Sequence, residues 1–167
     1  MTNLPSHSKI KTLEELVPLV EELRAAGKRI VTTNGCFDII HPGHVDSFEW
    51  AREQGDVLIV GVNSDASVRE NKGDLRPIQS EASRARVLAG LGAIDHVFIF
   101  DEKSPAKWLP KLRPHVHIKG AGSEREPAFA GEKALVESFS GVMRLSPQTP
   151  GHSTTNIIEK ILRVYKK

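Results

Sequence analysis

Short apolar runs alternate with longer amphipathic stretches along the chain, and this alternation is typical of helices packed around a mostly parallel β-sheet. The clearest strand runs from Val57 to Val62 and has the continuous apolar character of a strand that is covered on both faces. Four shorter strands are predicted at residues 30–33, 96–100, 116–118 and 142–145. The pattern therefore predicts an α/β fold, in which an open parallel sheet of about five strands has helices on both faces.

Helices are predicted between the strands where apolar residues recur at spacings of three and four after a capping residue. Thr12 and Glu15 have the spacing of a capping box, so a first helix begins there and ends before Gly27. Pro42 suits the first turn of a helix that runs to Gly55. Further helices are predicted at residues 64–70, 84–91 and 133–139, after Ser104, and from Ser153 onward. Residues 71–79 and 121–131 are predicted to be loops.

The 167-residue chain is expected to form one domain, because it contains no internal repeat, low-complexity tract or linker. The N-terminus is polar, so residues 1–10 are interpreted as a flexible arm and residues 11–167 as the single domain. The longest apolar run has six residues, far fewer than the roughly 20 that a membrane-spanning helix needs. We therefore expect no association with a membrane.

Composition narrows the classes of function. There are 23 Lys and Arg residues and 21 Asp and Glu residues, which gives a formal charge of +2. The excess of positive charge is too small to indicate a surface that binds nucleic acid. The single cysteine, Cys36, excludes an intrachain disulfide and a zinc site built from four thiolates. We therefore expect no nucleic-acid partner and a reducing, cytoplasmic location.

The first candidate site lies where the first strand ends. Ligands of open α/β sheets bind beyond the carboxyl ends of the strands, and here Gly35, His41, Gly43 and His44 surround the start of a predicted helix. Unpaired N–H groups at a helix N-terminus attract phosphate, the imidazoles add directional donors, and the glycines admit a large anion. These features favour the binding of a nucleoside triphosphate.

Two other interpretations apply to the same histidines. A lone histidine more often packs or caps a helix, but here two imidazoles and two glycines meet at one helix start. Zinc binding would need further Cys or His ligands, which the neighbouring sequence lacks. The first strand is not followed by G-x-G-x-x-G, and the chain has no G-x-x-x-x-G-K-[ST], so neither dinucleotide binding nor P-loop chemistry is indicated.

A second candidate site lies at the start of the last predicted helix. Gly151 and His152 precede three consecutive hydroxyl residues, Ser153, Thr154 and Thr155. One capping side chain satisfies one or two N–H groups, so capping explains Ser153 but not the two threonines. Contact with phosphate or ribose and simple capping are both open interpretations of this segment.

Five segments together resemble the cytidylyltransferase-like nucleotidyltransferases of the HIGH superfamily. They are TNGCFDIIHPGH at 33–44, VNSD at 62–65, the loop at 72–77, KG at 119–120 and GHSTTNII at 151–158. The resemblance extends over about residues 10–165 in the family's order, and it implies a Rossmann-like fold. Within the family, the chain looks most like the adenylyltransferases that form ADP-heptose for bacterial lipopolysaccharide.

The resemblance implies transfer of a nucleoside monophosphate from a nucleoside triphosphate, expected to be ATP, to a sugar phosphate, with release of pyrophosphate. The expected sugar phosphate is D-glycero-D-manno-heptose 1-phosphate. Relatives use CTP with a polyol phosphate, ethanolamine phosphate or a phosphonate, so a cytidylyltransferase is an alternative. An alternative of another class is a nucleotide-binding module without catalysis.

The same resemblance implies roles for individual residues. Catalytic roles fall on His41, His44, Lys72 and Lys119. Nucleotide contacts are expected from Gly35, Cys36, Phe37, His41, His44, Arg84, Lys119, Gly120, Ser153, Thr154 and Thr155. Acceptor contacts are expected from Asp38, Asn63, Lys72 and Arg76. Mg²⁺ is expected on the triphosphate rather than in a protein metal site, and a homodimer is expected because relatives are often dimers.

The chain departs from the pattern of the heptose enzymes after Lys119 and Gly120. Those enzymes typically continue with Gly-Asp-Tyr, whereas this chain has Ala121, Gly122 and Ser123. An acidic residue of the pattern is therefore missing, which leaves the identity of the acceptor open.

Overall fold

One five-stranded parallel sheet organises the computed structural model, which describes residues 5–165. The strands are β1 (Ile30–Gly35), β2 (Val57–Asn63), β3 (His96–Phe100), β4 (Val116–Lys119) and β5 (Val142–Leu145). Their order in the sheet is β3-β2-β1-β4-β5, and all neighbouring pairs are parallel. The predicted α/β fold with five strands is confirmed.

Seven α-helices precede, connect or follow the strands within the described residues. They are α1 (Leu13–Ala25), α2 (Pro42–Arg52), α3 (Asp65–Lys72), α4 (Glu81–Ala89), α5 (Leu109–Leu112), α6 (Phe129–Ser138) and α7 (Thr154–Tyr165). The predicted capping box is present, because the Thr12 hydroxyl accepts from the Glu15 N–H and the Glu15 carboxylate accepts from the Thr12 N–H. Lys72 was placed in a loop by the sequence but is the last residue of α3, and α6 begins four residues earlier than expected.

Apolar side chains cover both faces of the sheet, as the continuous apolar strand predicts. On one face, Val31 and Val60 pack with Phe48 of α2 and Leu88 of α4. On the other face, Ile30, Ile59 and Phe98 pack with side chains of α1, α5 and α6, namely Leu16, Val20, Leu109, Leu112 and Val136. The two layers of helices cover the faces of the sheet and leave the carboxyl ends of the strands open.

The segment before α1 is packed on the domain over its described part. Residues 6–9 form a 3₁₀ turn, and Ile10 forms a parallel bridge with Val97. Lys9 Nζ donates to the carbonyl oxygens of Leu91 and Ile94 at 3.2 and 2.7 Å. Residues 5–10 therefore differ from the flexible arm expected there, and residues 1–4 lie outside the described residues. Over the described range, no helix combines the length and the apolar character needed to cross a bilayer.

The strand order reverses at β1, and this reversal positions the site. The chain leaves β1 toward β2 and β3 on one side, and later returns to add β4 and β5 on the other. Connections that diverge from neighbouring strands leave a crevice beyond their carboxyl ends, where ligands of such folds bind. Residues that follow β1 and β4 therefore face each other across one crevice.

Candidate active site

A cavity of about 790 Å³ lies beyond the carboxyl ends of β1 and β4. It is lined by residues from the end of β1, the first turns of α2 and α7, the end of α3, and the segment from β4 to α6. The predicted site residues among its lining are Gly35, Cys36, Phe37, Asp38, His44, Asn63, Lys72, Arg76, Lys119, Gly120, Thr154 and Thr155. The two candidate helix N-termini, which lie far apart in the sequence, thus open into the same space.

Paired imidazoles stand at the N-terminus of α2. His41 is the N-cap residue, in an extended conformation and without a side-chain capping bond, and His44 lies three residues further along. Their rings stack with centroids 3.8 Å apart, although only His44 lines the cavity. The buried Nδ1 atoms of both rings have no hydrogen-bond partner among the residues that the structure describes. Gly43 leaves room for this arrangement, because a Cβ there would lie 3.3 Å from the His41 ring.

Both imidazoles favour the neutral form. Burial, followed by the neighbouring charge of His41, lowers the pKa of His44 to about 4. Burial, followed by the charge of His152, also lowers the pKa of His41. A neutral imidazole can donate one hydrogen bond and accept another, so two neighbouring rings stay in contact without charge repulsion. An entering polyphosphate would favour protonation, because an opposite charge favours the charged form of a side chain.

The turn after β1 requires specific residues. Phe37 has a φ of 48°, which is uncommon for a residue other than glycine, and its ring folds back over Gly35. A Cβ at Gly35 would lie only 3.0 Å from Phe37 Cζ, so glycine is needed there. The Phe37 ring also meets the His44 ring edge-on, with centroids 5.5 Å apart. The turn therefore places the Phe37 ring in contact with the His44 imidazole, which lines the cavity.

Asp38 supports the loop before α4. Its buried carboxylate accepts from Arg76 Nε at 2.5 Å and from the backbone N–H groups of Ile78 and Gln79 at 2.9 Å. Burial by itself raises the pKa of this carboxyl, but the hydrogen bonds outweigh it and the pKa lies below its usual range. Asp38 and Arg76 were expected to bind the acceptor. They line the cavity, but in this structure their charged groups are bonded to each other.

Arg84 differs from its expected role. It was expected to contact the nucleotide, yet it is buried and absent from the cavity lining. Its guanidinium donates to the carbonyl oxygens of Cys36, Asn63 and Gln79 at 2.5, 2.7 and 3.0 Å, and to the Asp65 carboxylate at 2.8 Å. Arg84 therefore ties together the chain segments that follow β1 and β2, and it stands behind the site rather than in it.

The second helix N-terminus combines capping with exposure to the cavity. Ser153 Oγ accepts from the Asn156 N–H at 3.1 Å, so this residue is a cap and lies outside the cavity lining. Thr154 and Thr155 line the cavity, and Thr154 Oγ1 donates to the Ile39 carbonyl oxygen at 3.4 Å. The sequence left capping and ligand contact as alternatives for this segment. In the structure Ser153 has the capping position, whereas Thr154 and Thr155 line the cavity.

Two further predicted residues stand on the opposite wall. Asn63, at the end of β2, donates through Nδ2 to Ser67 Oγ and the Glu102 carbonyl oxygen, so its amide is held in place. Lys72, at the end of α3, is exposed and lines the cavity. The positive charge of Lys72 therefore stands at the mouth of the crevice, where it can approach an anionic ligand.

One acidic residue of the cavity was not predicted from the sequence. Glu132 lies in the first turn of α6, is 5% exposed, and has Oε2 at 2.9 Å from Lys119 Nζ. Its segment was predicted as the boundary between a loop and a helix, and no spacing in the sequence points from Glu132 to Lys119. His152, which precedes the three hydroxyl residues, was given no role from the sequence, and its ring lies 6.5 Å from that of His41.

Within residues 5–165, no three His, Cys, Asp or Glu side chains cluster as metal ligands would. The cavity instead combines the cations Lys72 and Lys119 with two helix N-termini. Such a donor set fits polyphosphate directly, with backbone N–H groups, hydroxyls and ammonium groups as the contacts.

The fold and the cavity define a Rossmann-like α/β domain, with its candidate site at the reversal of strand order. The chain belongs to the cytidylyltransferase-like family, whose model matches residues 32–160. Among curated relatives, the "Bifunctional protein HldE" of Geobacter metallireducens is 49% identical over 160 residues, and that of Pelobacter propionicus is 48% identical. These matches cover 96% of this chain and 32% of each relative, so the chain spans about a third of their length.

Two solved structures share the fold. The lipopolysaccharide core biosynthesis protein from Thermoplasma volcanium has a TM-score of 0.63 at 24% identity, over 74% of this chain and 99% of that one. The pantoate-beta-alanine ligase from Francisella tularensis has a TM-score of 0.62 at 16% identity, over 95% of this chain and 78% of that one. At these identities the likeness concerns the fold alone.

Proposed function

We propose that this protein is an adenylyltransferase, which transfers AMP from ATP to a sugar phosphate and releases pyrophosphate. The expected acceptor is D-glycero-D-manno-heptose 1-phosphate. The observation that supports the proposal best is the shared cavity, because His44, Lys119 and the first turns of α2 and α7 all face it. Similarity to the HldE proteins supports the choice of acceptor.

The proposed reaction is attack by an acceptor phosphate oxygen on the α-phosphorus of ATP. An oxygen–phosphorus bond forms, the bond between the α-phosphorus and the bridging oxygen breaks, and pyrophosphate leaves with the electron pair. The attacking oxygen is already anionic near neutral pH, so the reaction needs no general base. The protein's task is alignment and stabilisation of negative charge.

The residues of the cavity have separate tasks in this reaction. The imidazole of His44, supported by that of His41, donates to the phosphates, and Lys119 neutralises charge from the end of β4. Thr154 and Thr155 add hydroxyl donors at the N-terminus of α7. Lys72 approaches from the mouth of the cavity and contacts the phosphates or the acceptor.

Mg²⁺ carried by the triphosphate would supply additional charge neutralisation, with most of its water ligands retained. The identity of the metal as Mg²⁺ stays a prediction, as do the homodimer and the cytoplasmic location expected from the sequence. The use of ATP rather than CTP is likewise part of the proposal.

The proposal is tested by a matrix of pyrophosphate-release assays. ATP, CTP, GTP and UTP are each combined with heptose 1-phosphate, other sugar phosphates, polyol phosphates, ethanolamine phosphate and phosphonates. We expect the highest kcat/KM for ATP with a sugar 1-phosphate. Highest activity with CTP and a polyol phosphate, ethanolamine phosphate or phosphonate would support the cytidylyltransferase instead. Nucleotide binding without product across all acceptors would support a binding module.

A further inference from the structure

Glu132 is a buried carboxylate on the wall of the active-site cavity. It lies in the first turn of α6, is 5% exposed, and lines the same cavity as His44. Its Oε2 lies 2.9 Å from Nζ of Lys119, which is 8% exposed. A buried ion pair contributes little net stability, because the cost of removing both charges from water offsets their attraction. The position of this pair on the cavity wall therefore points to a ligand.

The Glu132 carboxylate is balanced in charge, but one of its oxygens, Oε2, lacks a hydrogen-bond partner among the described residues. Although Oε2 is close to the Lys119 ammonium, it accepts no hydrogen bond of good geometry within the described range 5–165. An ionised carboxylate offers about four acceptor positions, and buried acceptors are normally satisfied by protein, water or ligand. The bound ligand is therefore expected to bring hydrogen-bond donors to this wall.

The pair of Glu132 and Lys119 determines which hydrogen-bond donors of a ligand fit this wall. Hydroxyl groups donate to a carboxylate, whereas phosphate oxygens are repelled by it. An ammonium group on the ligand would gain little here, because Lys119 already neutralises Glu132 at 2.9 Å. Lys119 in turn attracts phosphate. A cation and an acceptor side by side therefore match a ligand that has both a phosphate and hydroxyl groups.

We propose that Glu132 is a specificity-determining residue, which accepts hydrogen bonds from hydroxyl groups of a polyhydroxylated phosphate acceptor while Lys119 contacts its phosphate. This inference rests on the proposed function, and it deepens that function by assigning the residue that recognises the sugar. Glu126 is a weaker candidate, because its Oε2 lies 3.9 Å from Lys119 Nζ and its side chain is 57% exposed.

The test compares Glu132→Ala and Glu132→Gln with the unmodified protein in pyrophosphate release from ATP and a sugar 1-phosphate. We expect Glu132→Ala to raise the KM of the sugar phosphate by about 10- to 100-fold, the range for loss of hydrogen bonds to a charged group. The KM of ATP should stay within about threefold, because Glu132 is proposed to bind the acceptor and not the nucleotide. Glu132→Gln keeps the shape and one acceptor oxygen, so a smaller increase is expected.

Glu137→Ala is the matched control, since Glu137 lies on the same helix, outside the cavity lining, and pairs with Lys133 at 2.7 Å. Its kinetic constants should equal those of the unmodified protein. The inference is overturned if neither Glu132 variant changes the KM of the sugar phosphate, or if the KM of ATP rises equally. Thermal unfolding reports whether each variant folds, and Glu132→Gln decides the question if Glu132→Ala does not fold.

Failure of the proposed function gives a different result. If the unmodified protein releases no pyrophosphate with any acceptor, the adenylyltransferase proposal fails. Calorimetric titration with the sugar 1-phosphate then tests Glu132 by itself. Weaker binding to Glu132→Gln than to the unmodified protein supports its role in recognition, whereas equal binding to both, or no binding to either, overturns it.

Discussion

The imidazole rings of His41 and His44 stack with their centroids 3.8 Å apart and their planes 24° from parallel. The first turn of α2 produces this contact, because residues three apart on a helix lie on the same face. Each ring favours the neutral form, so the stack is free of charge repulsion before a ligand enters. The two rings therefore form one preorganised unit beside the helix N-terminus.

Replacement of His44 tests this unit directly. His44→Ala should lower the kcat for pyrophosphate release by a factor of about 100 or more, because it removes a preorganised donor to the developing charge. The thermal unfolding temperature should show that the variant still folds. His7→Ala, which changes an exposed histidine far from the cavity, is the control and should keep full activity. Near-normal turnover of His44→Ala would contradict the proposed role.

Gly43 tests the space around the stacked rings. In Gly43→Ala the added Cβ would lie 3.3 Å from the His41 ring and 3.5 Å from Cβ of His152, so the ring must shift. We expect the KM of ATP to rise about tenfold while the free energy of unfolding stays the same or increases, since alanine favours helix. Steady-state kinetics and urea unfolding measure the two effects. Gly92→Ala, whose Cβ would meet no described atom within 4 Å, should change neither KM nor kcat.

Replacement of Arg84 tests whether this residue stabilises the fold or contacts the nucleotide. Lysine at this position cannot reach the three carbonyl oxygens that the guanidinium binds, so Arg84→Lys should lower the free energy of unfolding by about 2 kcal/mol or more. At a temperature where the variant is folded, the KM of ATP should stay within about threefold of its original value. Arg86→Lys, on an exposed position of the same helix, is the control. Unchanged stability with a much higher KM of ATP would instead indicate direct contact with nucleotide.

His117 makes stability depend on pH. Complete burial, followed by the charge of Lys119, lowers the pKa of His117 to about 3, whereas an unfolded histidine titrates near 6.5. Between these values the unfolded state binds a proton that the folded state does not, so the free energy of unfolding falls as the pH falls. This group contributes up to about 1.4 kcal/mol per pH unit.

Urea unfolding between pH 7.5 and pH 5 measures this dependence. The slope should be smaller in His117→Gln than in the unmodified protein. His44, whose pKa is lowered to about 4, contributes in the same direction, so the slope should not vanish in His117→Gln. An identical slope in His117→Gln and the unmodified protein would show that His117 does not titrate on unfolding.

Much of the fold was predictable because local sequence sets local structure. The continuous apolar run of β2, the capping box at Thr12 and the proline at position 42 each specify an element without help from distant residues. Element ends were less predictable. Lys72 lies in α3 and Glu132 lies in α6, although apolar spacing alone places both outside the predicted helices.

The site was predictable to the extent that its residues are consecutive. The segments at residues 35–44 and 153–155 each place donors at a helix N-terminus, and that property follows from the order of residues alone. Whether a charged side chain faces ligand or protein does not follow from order. Arg84 and Arg76 are both basic residues of the same region, yet the first is buried behind the site and the second lines the cavity while paired with Asp38.

The amino-acid order alone specified the parallel α/β class, the two phosphate-attracting helix starts and the family resemblance, because all of these depend on residues close together in the chain. Only the folded chain brought α7 to the same cavity as α2, turned Arg84 inward and placed Glu132 against Lys119. The physical reason is that these contacts join residues separated by many positions. Their geometry follows from the strand order of the sheet and the packing of its helices, which no local pattern records.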